Sequence, residues 1–205
     1  MTTGPDRYIV AAWAGSHLLV SREREGELPD LMVFDGPGES RILAPGAVLV
    51  AVSPDGSDVL VAGPGIASLI DVETGKTVAS LDLGQPDPVT GQPIGYLAYA
   101  GSWVGDRVVA EGGPGMVVLS VTGSALRVTD AIALPRDVFP MPPHEPRLTP
   151  DGSRVVAWVP LPGPESKPRY AYLDCAISAH TCVQGPTTDV SAFYAVYNPS
   201  RPLPG

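Results

Sequence analysis

Hydrophobic positions along this chain fall in short runs, each closed by glycine, proline or aspartate. The turn-forming "SPDGS" of residues 53–57 leads into "DVLVAG", and "TPDGS" of residues 149–153 leads into "RVVAWV". These two segments lie 96 positions apart and share one order, turn first and valine-rich run second. "GSHLLVSR" and "GDRVVAEG" repeat it, so Gly15, Gly56, Gly105 and Gly152 mark starts spaced by 41, 49 and 47 residues. Trp13 and Trp103 each stand two positions before their glycine. Short β-branched runs bounded by turn residues predict strands. No segment places apolar residues at i, i+3, i+4 and i+7 between caps, so no helix is expected. Within the turns, proline pre-sets φ, the Asp55 and Asp151 side chains bond the backbone two residues on, and Gly56 and Gly152 take positive φ.

Each unit holds four such runs. Before the turn come "GAVLVAV", "GYLAYAG" and "SAFYAVY"; after the valine-rich run come "ELPDLMVFDG", "GPGIASLIDV", "GGPGMVVLSV" and "KPRYAYLDCA". A fourth set follows: "SRILAPG", "KTVASLDL", "ALRVTDAIAL" and "TCVQG". Four antiparallel strands in about 40–50 residues, repeated, predict propeller blades, because a lone blade has two apolar faces and only stacked neighbours bury them. The expected fold is therefore all-β, a β-propeller of four-stranded antiparallel blades forming one domain over 1–205. The units are placed at about 8–46, 47–84, 95–135 and 145–186, with a partial copy at 187–205 where Asn198-Pro199-Ser200 stands in the turn position.

From Trp13 to about Pro186, the "SPDG" and "TPDG" phrasing followed by "IDVETGK" resembles the TolB-like and YVTN-type bacterial β-propellers, cousins of WD-repeat proteins. That resemblance implies a ring of six or seven blades and about 250–300 residues at this period. Four units and a stub depart from it. Three arrangements stay open: a small closed ring, an incomplete ring that forms a homo-oligomer through exposed edges, or a piece of a longer protein.

Composition agrees with many turns between buried strands: Gly 23 and Pro 24 are nearly a quarter of 205 residues, yet 44% are hydrophobic. The net charge of −9 and the two lysines, Lys76 and Lys167, argue against nucleic acid as a partner. The longest apolar run, 44–52, contains Pro45 and Gly46 and falls short of the roughly 20 residues of a membrane helix. "MTTGPDRYIV" shows no secretory signal. Cys175 and Cys182 are the two cysteines. With "RYAYLDC" and "CVQG" as adjacent antiparallel strands they face each other across a hairpin, which predicts a disulfide and an oxidising compartment. The same hairpin looks like the disulfide-bearing blade of secreted or membrane-anchored propellers in high-GC actinobacteria.

Candidate chemistry is sparse. His17, His144 and His180 belong to different units or loops and show no metal-ligand spacing. "AGSWVG" lacks the spacing and helix of a nucleophile elbow. The "GPG" strings at 36–38, 63–65 and 113–115 have no following helix to hold a phosphate. Asp55, Asp58 and Asp151 lack the calcium-loop ladder and read as turn residues. Tyr96, Tyr99, Phe193, Tyr194 and Tyr197 read as inner-strand core, with a tunnel-lining ligand site as the alternative, and "SREREGE" as a solvated hairpin tip. No catalytic residue, cofactor or metal ligand is assigned. The expected function is a non-catalytic extracytoplasmic scaffold that binds another protein or an envelope component. The proline-rich rim excursions at 84–95, 135–146 and 160–168 would carry that contact. Two alternatives stand beside it: a lactonase-like hydrolase with a metal in the central channel, or the sensor domain of a membrane-anchored receptor.

Overall fold

In the computed structural model, residues 6–86, 91–98, 101–113, 115–134, 143–161 and 169–189 are described. They form four antiparallel sheets of four strands each, every sheet a meander in chain order, with no helix among the described residues. The first sheet holds β1 (Arg7–Ala14), β2 (His17–Glu23), β3 (Asp30–Gly36) and β4 (Glu39–Ala44). β5 (Val48–Val52), β6 (Asp58–Gly63), β7 (Ile66–Asp71) and β8 (Thr77–Asp82) form the second. The third is β9 (Ser102–Val104), β10 (Arg107–Gly112), β11 (Gly115–Thr122) and β12 (Ala125–Ala133). β13 (His144–Leu148), β14 (Arg154–Leu161), β15 (Arg169–Ala176) and β16 (Thr181–Asp189) make the fourth. Residues 187–189 thus end β16, and the remainder of the expected partial copy, 190–205, lies outside the described residues.

One strand differs from expectation. "GYLAYAG" contributes an isolated Leu97–Gly112 bridge, and the first strand of its unit is the three-residue β9. Gly95 takes φ +76°, the Ala98 N–H donates to the Glu111 carbonyl of β10 at 3.0 Å, and the Gly101 N–H then donates to the Val50 carbonyl of the second sheet at 2.7 Å, so the segment touches β10 only briefly before it turns to the neighbouring sheet.

Three cores link the sheets in series. Leu19, Leu31 and Val33 of the first sheet meet Val59, Val61 and Ile70 of the second. Leu60, Ala62 and Leu69 of the second meet Val108, Val117 and Leu119 of the third. Val109, Met116, Val118 and Ile132 of the third meet Val155, Val159 and Leu173 of the fourth. Successive side chains of a strand point to opposite faces. A sheet sandwiched between two others therefore needs apolar residues at consecutive positions, as in residues 59–62 of β6 and 108–110 of β10. The first strands approach one another from sheet to sheet, β1 against β5, β5 against β9 and β9 against β13.

Polar ties reinforce the seams at the turns. A Cβ on Gly56 would lie 2.2 Å from the backbone nitrogen of Gly15, so two repeat glycines touch backbone to backbone across the first seam. At the third seam, the Arg107 guanidinium donates to the Gly152 carbonyl at 3.0 Å, and the Leu148 N–H donates to the Ser102 hydroxyl at 3.1 Å. Gly56→Ala should therefore unfold the protein by both a strained positive φ and a backbone collision, about 2–4 kcal/mol together. Gly105, with φ +60° and open space around its Cβ position, should lose only about 1–2 kcal/mol on Gly105→Ala. Urea titration of the two variants side by side checks this; equal losses contradict the interlocking turn.

Candidate functional site

The repeat turns are clamps, built twice from different residues. Asp55 accepts from the Ser53 hydroxyl at 2.7 Å and from the Ser57 N–H at 3.1 Å, while the Ser53 hydroxyl accepts from the Asp58 N–H at 2.9 Å. Thr149 replaces the serine in the fourth sheet: Asp151 accepts from its hydroxyl at 2.6 Å and from the Ser153 N–H at 3.1 Å, and Thr149 accepts from the Arg154 N–H at 3.1 Å. Donors converging on an ionised carboxylate favour the charged form. The hydroxyl bond first, then the backbone N–H, hold both Asp55 and Asp151 at a pKa of about 2. Asp58 goes the other way, raised by partial burial. Gly56 and Gly152 complete these turns at φ +75° and +66°, and Gly15 and Gly105 turn the hairpins β1–β2 and β9–β10 at φ +57° and +60°.

Cys175 and Cys182 are a registered cross-strand pair of β15 and β16 joined by a disulfide. The histidines are dispersed. His17 bonds Asp35 at 2.6 Å and reaches Glu73 of the second sheet at 3.4 Å. His180 contacts the Ala131 carbonyl at 3.2 Å, and His144 lies in β13. Among the described residues no group of three or more His, Cys, Asp or Glu side chains is placed to hold a metal ion. Tyr96 is exposed and donates to Glu111 at 3.2 Å, in place of the expected core position. Tyr99, Phe193, Tyr194 and Tyr197 lie outside the described residues, as do 87–90, 135–142 and 162–168 of the rim excursions.

The "SREREGE" segment is not simply a solvated tip. Arg22 ends in an ion pair with Asp30 at 2.5 Å, largely shielded from solvent, and Asp30 also accepts from Arg24 at 3.0 Å and from the Gly46 N–H at 3.0 Å. The Arg22 hydrogen bond and the Gly46 N–H hold the Asp30 carboxyl below the ordinary carboxylate range. Arg22 and Asp30 stand directly opposite each other in the β2–β3 register, and that oppositely charged cross-strand pair was the available signal.

What stands out is β1. Its sequence, "RYIVAAWA", reads as a buried run, yet Tyr8 is 56%, Ile9 42%, Val10 65% and Trp13 64% exposed. In the β1–β2 register Tyr8, Val10 and Trp13 oppose Arg22, Val20 and Leu18 on one face, while Ile9 opposes Ser21 on the other. Three large apolar side chains on one face form a patch of the kind that marks an interaction surface. Beside it, β1 and β5 border a cleft of about 330 Å³ lined by Ile9, Ala12, Ser21, Glu23, Leu49 and Val52, among others. Both strands bulge there, β1 between Val10 and Ala12 and β5 between Leu49 and Ala51. Bulges re-aim side chains and recur beside binding sites.

No protein-family model matches the sequence, and no curated protein matches it. Solved structures do. The Cps50 (Swd1) β-propeller domain of Myceliophteria thermophila superposes with a TM-score of 0.54 at 14% identity, over 93% of this chain and 58% of that one. The fold is a β-propeller. The chain spans little more than half the length of that domain. Looser similarities are to the Listeria monocytogenes EGD-e protein lmo1340 (TM-score 0.44, 13% identity, 83% of this chain and 66% of that one) and to apo AztD of Citrobacter koseri (TM-score 0.43, 13% identity, 91% and 60%).

The depressed Asp55 and Asp151 set a pH dependence. A carboxylate whose folded pKa lies below its unfolded value of 3.8 contributes stability that is fully present above that value and is lost as pH falls through about 2. The double variant Asp55→Asn/Asp151→Asn should melt below the parent at neutral pH, with the gap closing between about pH 4 and pH 2. Melting temperature against pH measures it; a constant offset at every pH contradicts the carboxylate clamp.

Proposed function

We propose that this propeller is a non-catalytic binding scaffold that works outside the cytoplasm and holds another protein through the apolar face of its first strand. The observation that carries the reading is the exposure of Tyr8, Val10 and Trp13 together on one face of β1. Trp and Tyr are the residues most enriched among energetic anchors of protein interfaces, because they bring large rigid area at small entropic cost. A strand laid in a packed sheet presents them without further ordering, and preorganised contacts lose less free energy on binding. Location rests on the Cys175–Cys182 disulfide, a bond that persists in oxidising compartments. The "SPDG" and "TPDG" turns support kinship with the TolB-like and YVTN-type bacterial propellers. Much of the rim excursions at 84–95, 135–146 and 160–168 lies outside the described residues, and the described apolar exposure that supports a partner surface lies on the first strand.

A photo-crosslinking residue at position 10, with and without Trp13→Asp, tests this in envelope preparations. Trp13→Asp should change stability by no more than about 0.5 kcal/mol. It should weaken partner binding about 30-fold, the loss of one anchor worth about 2 kcal/mol. Absence of a discrete crosslinked species, or one indifferent to Trp13→Asp, rejects the reading.

A further inference from the structure

The cleft between β1 and β5 differs in character from the flat strip beside it. It opens at the margin of the core shared by the first two sheets, where Ala12, Leu49 and Val52 are only partly buried. Its inner end is closed by backbone. Gly101 lines it, bonded to the Val50 carbonyl, and a Cβ at that position would lie 2.6 Å from the Val109 carbonyl and 3.0 Å from that of Val50. Any side chain at 101 would thus push the third sheet's chain away from the cleft. At about 330 Å³ the volume sits at the lower limit for a ligand pocket, suited to one long side chain more than to a cofactor.

The polar lining is narrow in kind. Among the described residues that line the cleft, Glu23 is the one ionisable group, Ser21 the one hydroxyl, and none is aromatic. The ion pair of Glu23 is with Arg7 at 3.9 Å, and both side chains reach solvent, so the pair is long and weak. A guest that matches these walls has an unbranched apolar stem and a single compact positive charge at its end. Lysine has that form: it buries its methylenes along apolar surface and keeps the ammonium at the polar edge. Arginine fits less well, since its planar fork gains most from bidentate carboxylates or a stacked ring. The protein's net charge of −9 favours a cationic guest in addition.

We propose that the cleft between β1 and β5 receives a lysine side chain of the bound protein, its stem against Ile9, Ala12 and Leu49 and its ammonium on Glu23. This rests on the protein-binding reading of the β1 face. It adds the partner's chemistry: a segment pairing an apolar patch with one lysine.

The test titrates the full chain with n-butylammonium, 1-butanol and butyrate, following backbone amide resonances by NMR. Butylammonium should shift Ile9, Ala12, Leu49 and Gly101 and bind about two- to fivefold tighter than butanol, the range of a half-exposed ion pair, with butyrate weakest. Glu23→Gln should erase the preference for the amine and leave butanol binding unchanged. Equal binding of the three probes, shifts away from the cleft, or an amine preference that survives Glu23→Gln overturns the inference. Failure of this titration alongside a successful crosslink at position 10 rejects the lysine alone. Success without any crosslinked protein rejects the protein-binding reading and, with it, the lysine's source.

Discussion

Sheet faces that cannot remain in water govern this structure. Each interior sheet is apolar on both sides, and burying that area is worth about 25 cal/mol per Å², provided a neighbour covers each face. Leu60 and Val61 are adjacent in the chain yet belong to different cores, one shared with the third sheet and one with the first. The same division separates Val108 from Val109. Stacking in series follows from this. No sheet of the middle pair is stable apart from its neighbours, and the contacts that define one blade's strands also define its place in the row.

Polar chemistry then fixes how the stacked faces are held. The Asp55 and Asp151 clamps shape the turns that enter β6 and β14, and the turn backbone lies against the neighbouring sheet: Gly56 on Gly15, Gly152 under Arg107. The Asp71 turn does similar work between β7 and β8. Asp71 accepts from the Thr74 N–H at 2.7 Å, and Arg41 of the first sheet donates to the Val72 carbonyl and, at 3.1 Å, to that of Glu73. Turn residues in this fold serve the joints between sheets as much as the hairpins within them. The candidate site occupies the place where this joining is least complete, the inner end of the first seam, with β1 left exposed beside it.

Several features were legible because they are local or have a fixed period. Meander order followed from turn spacing, two-sided burial from unbroken valine runs, and the disulfide from the register of a short hairpin. Others were not. β9 was misplaced because "GYLAYAG" has strand composition, while its backbone meets β10 only at Leu97 and Ala98 and is bonded to Val50 of another sheet at Gly101. Arg22 was placed in solvent because its partner, Asp30, comes across a strand pair and beside the Gly46 N–H. The exposure of Tyr8, Val10 and Trp13 was hidden for a similar reason: composition reports how apolar a strand is, and not what lies against it.

The amino-acid sequence alone determined the unit: four strands, a clamped turn, a glycine at positive φ and a cross-strand cysteine pair. All of these depend on residues within a few positions of one another or at an alternating period. Tertiary structure decided which faces meet, that Gly56 must abut Gly15, and that a cleft with one carboxylate opens between β1 and β5. Those outcomes join residues of different sheets, 41 positions apart for Gly15 and Gly56, and chain geometry, not local preference, brings such residues together.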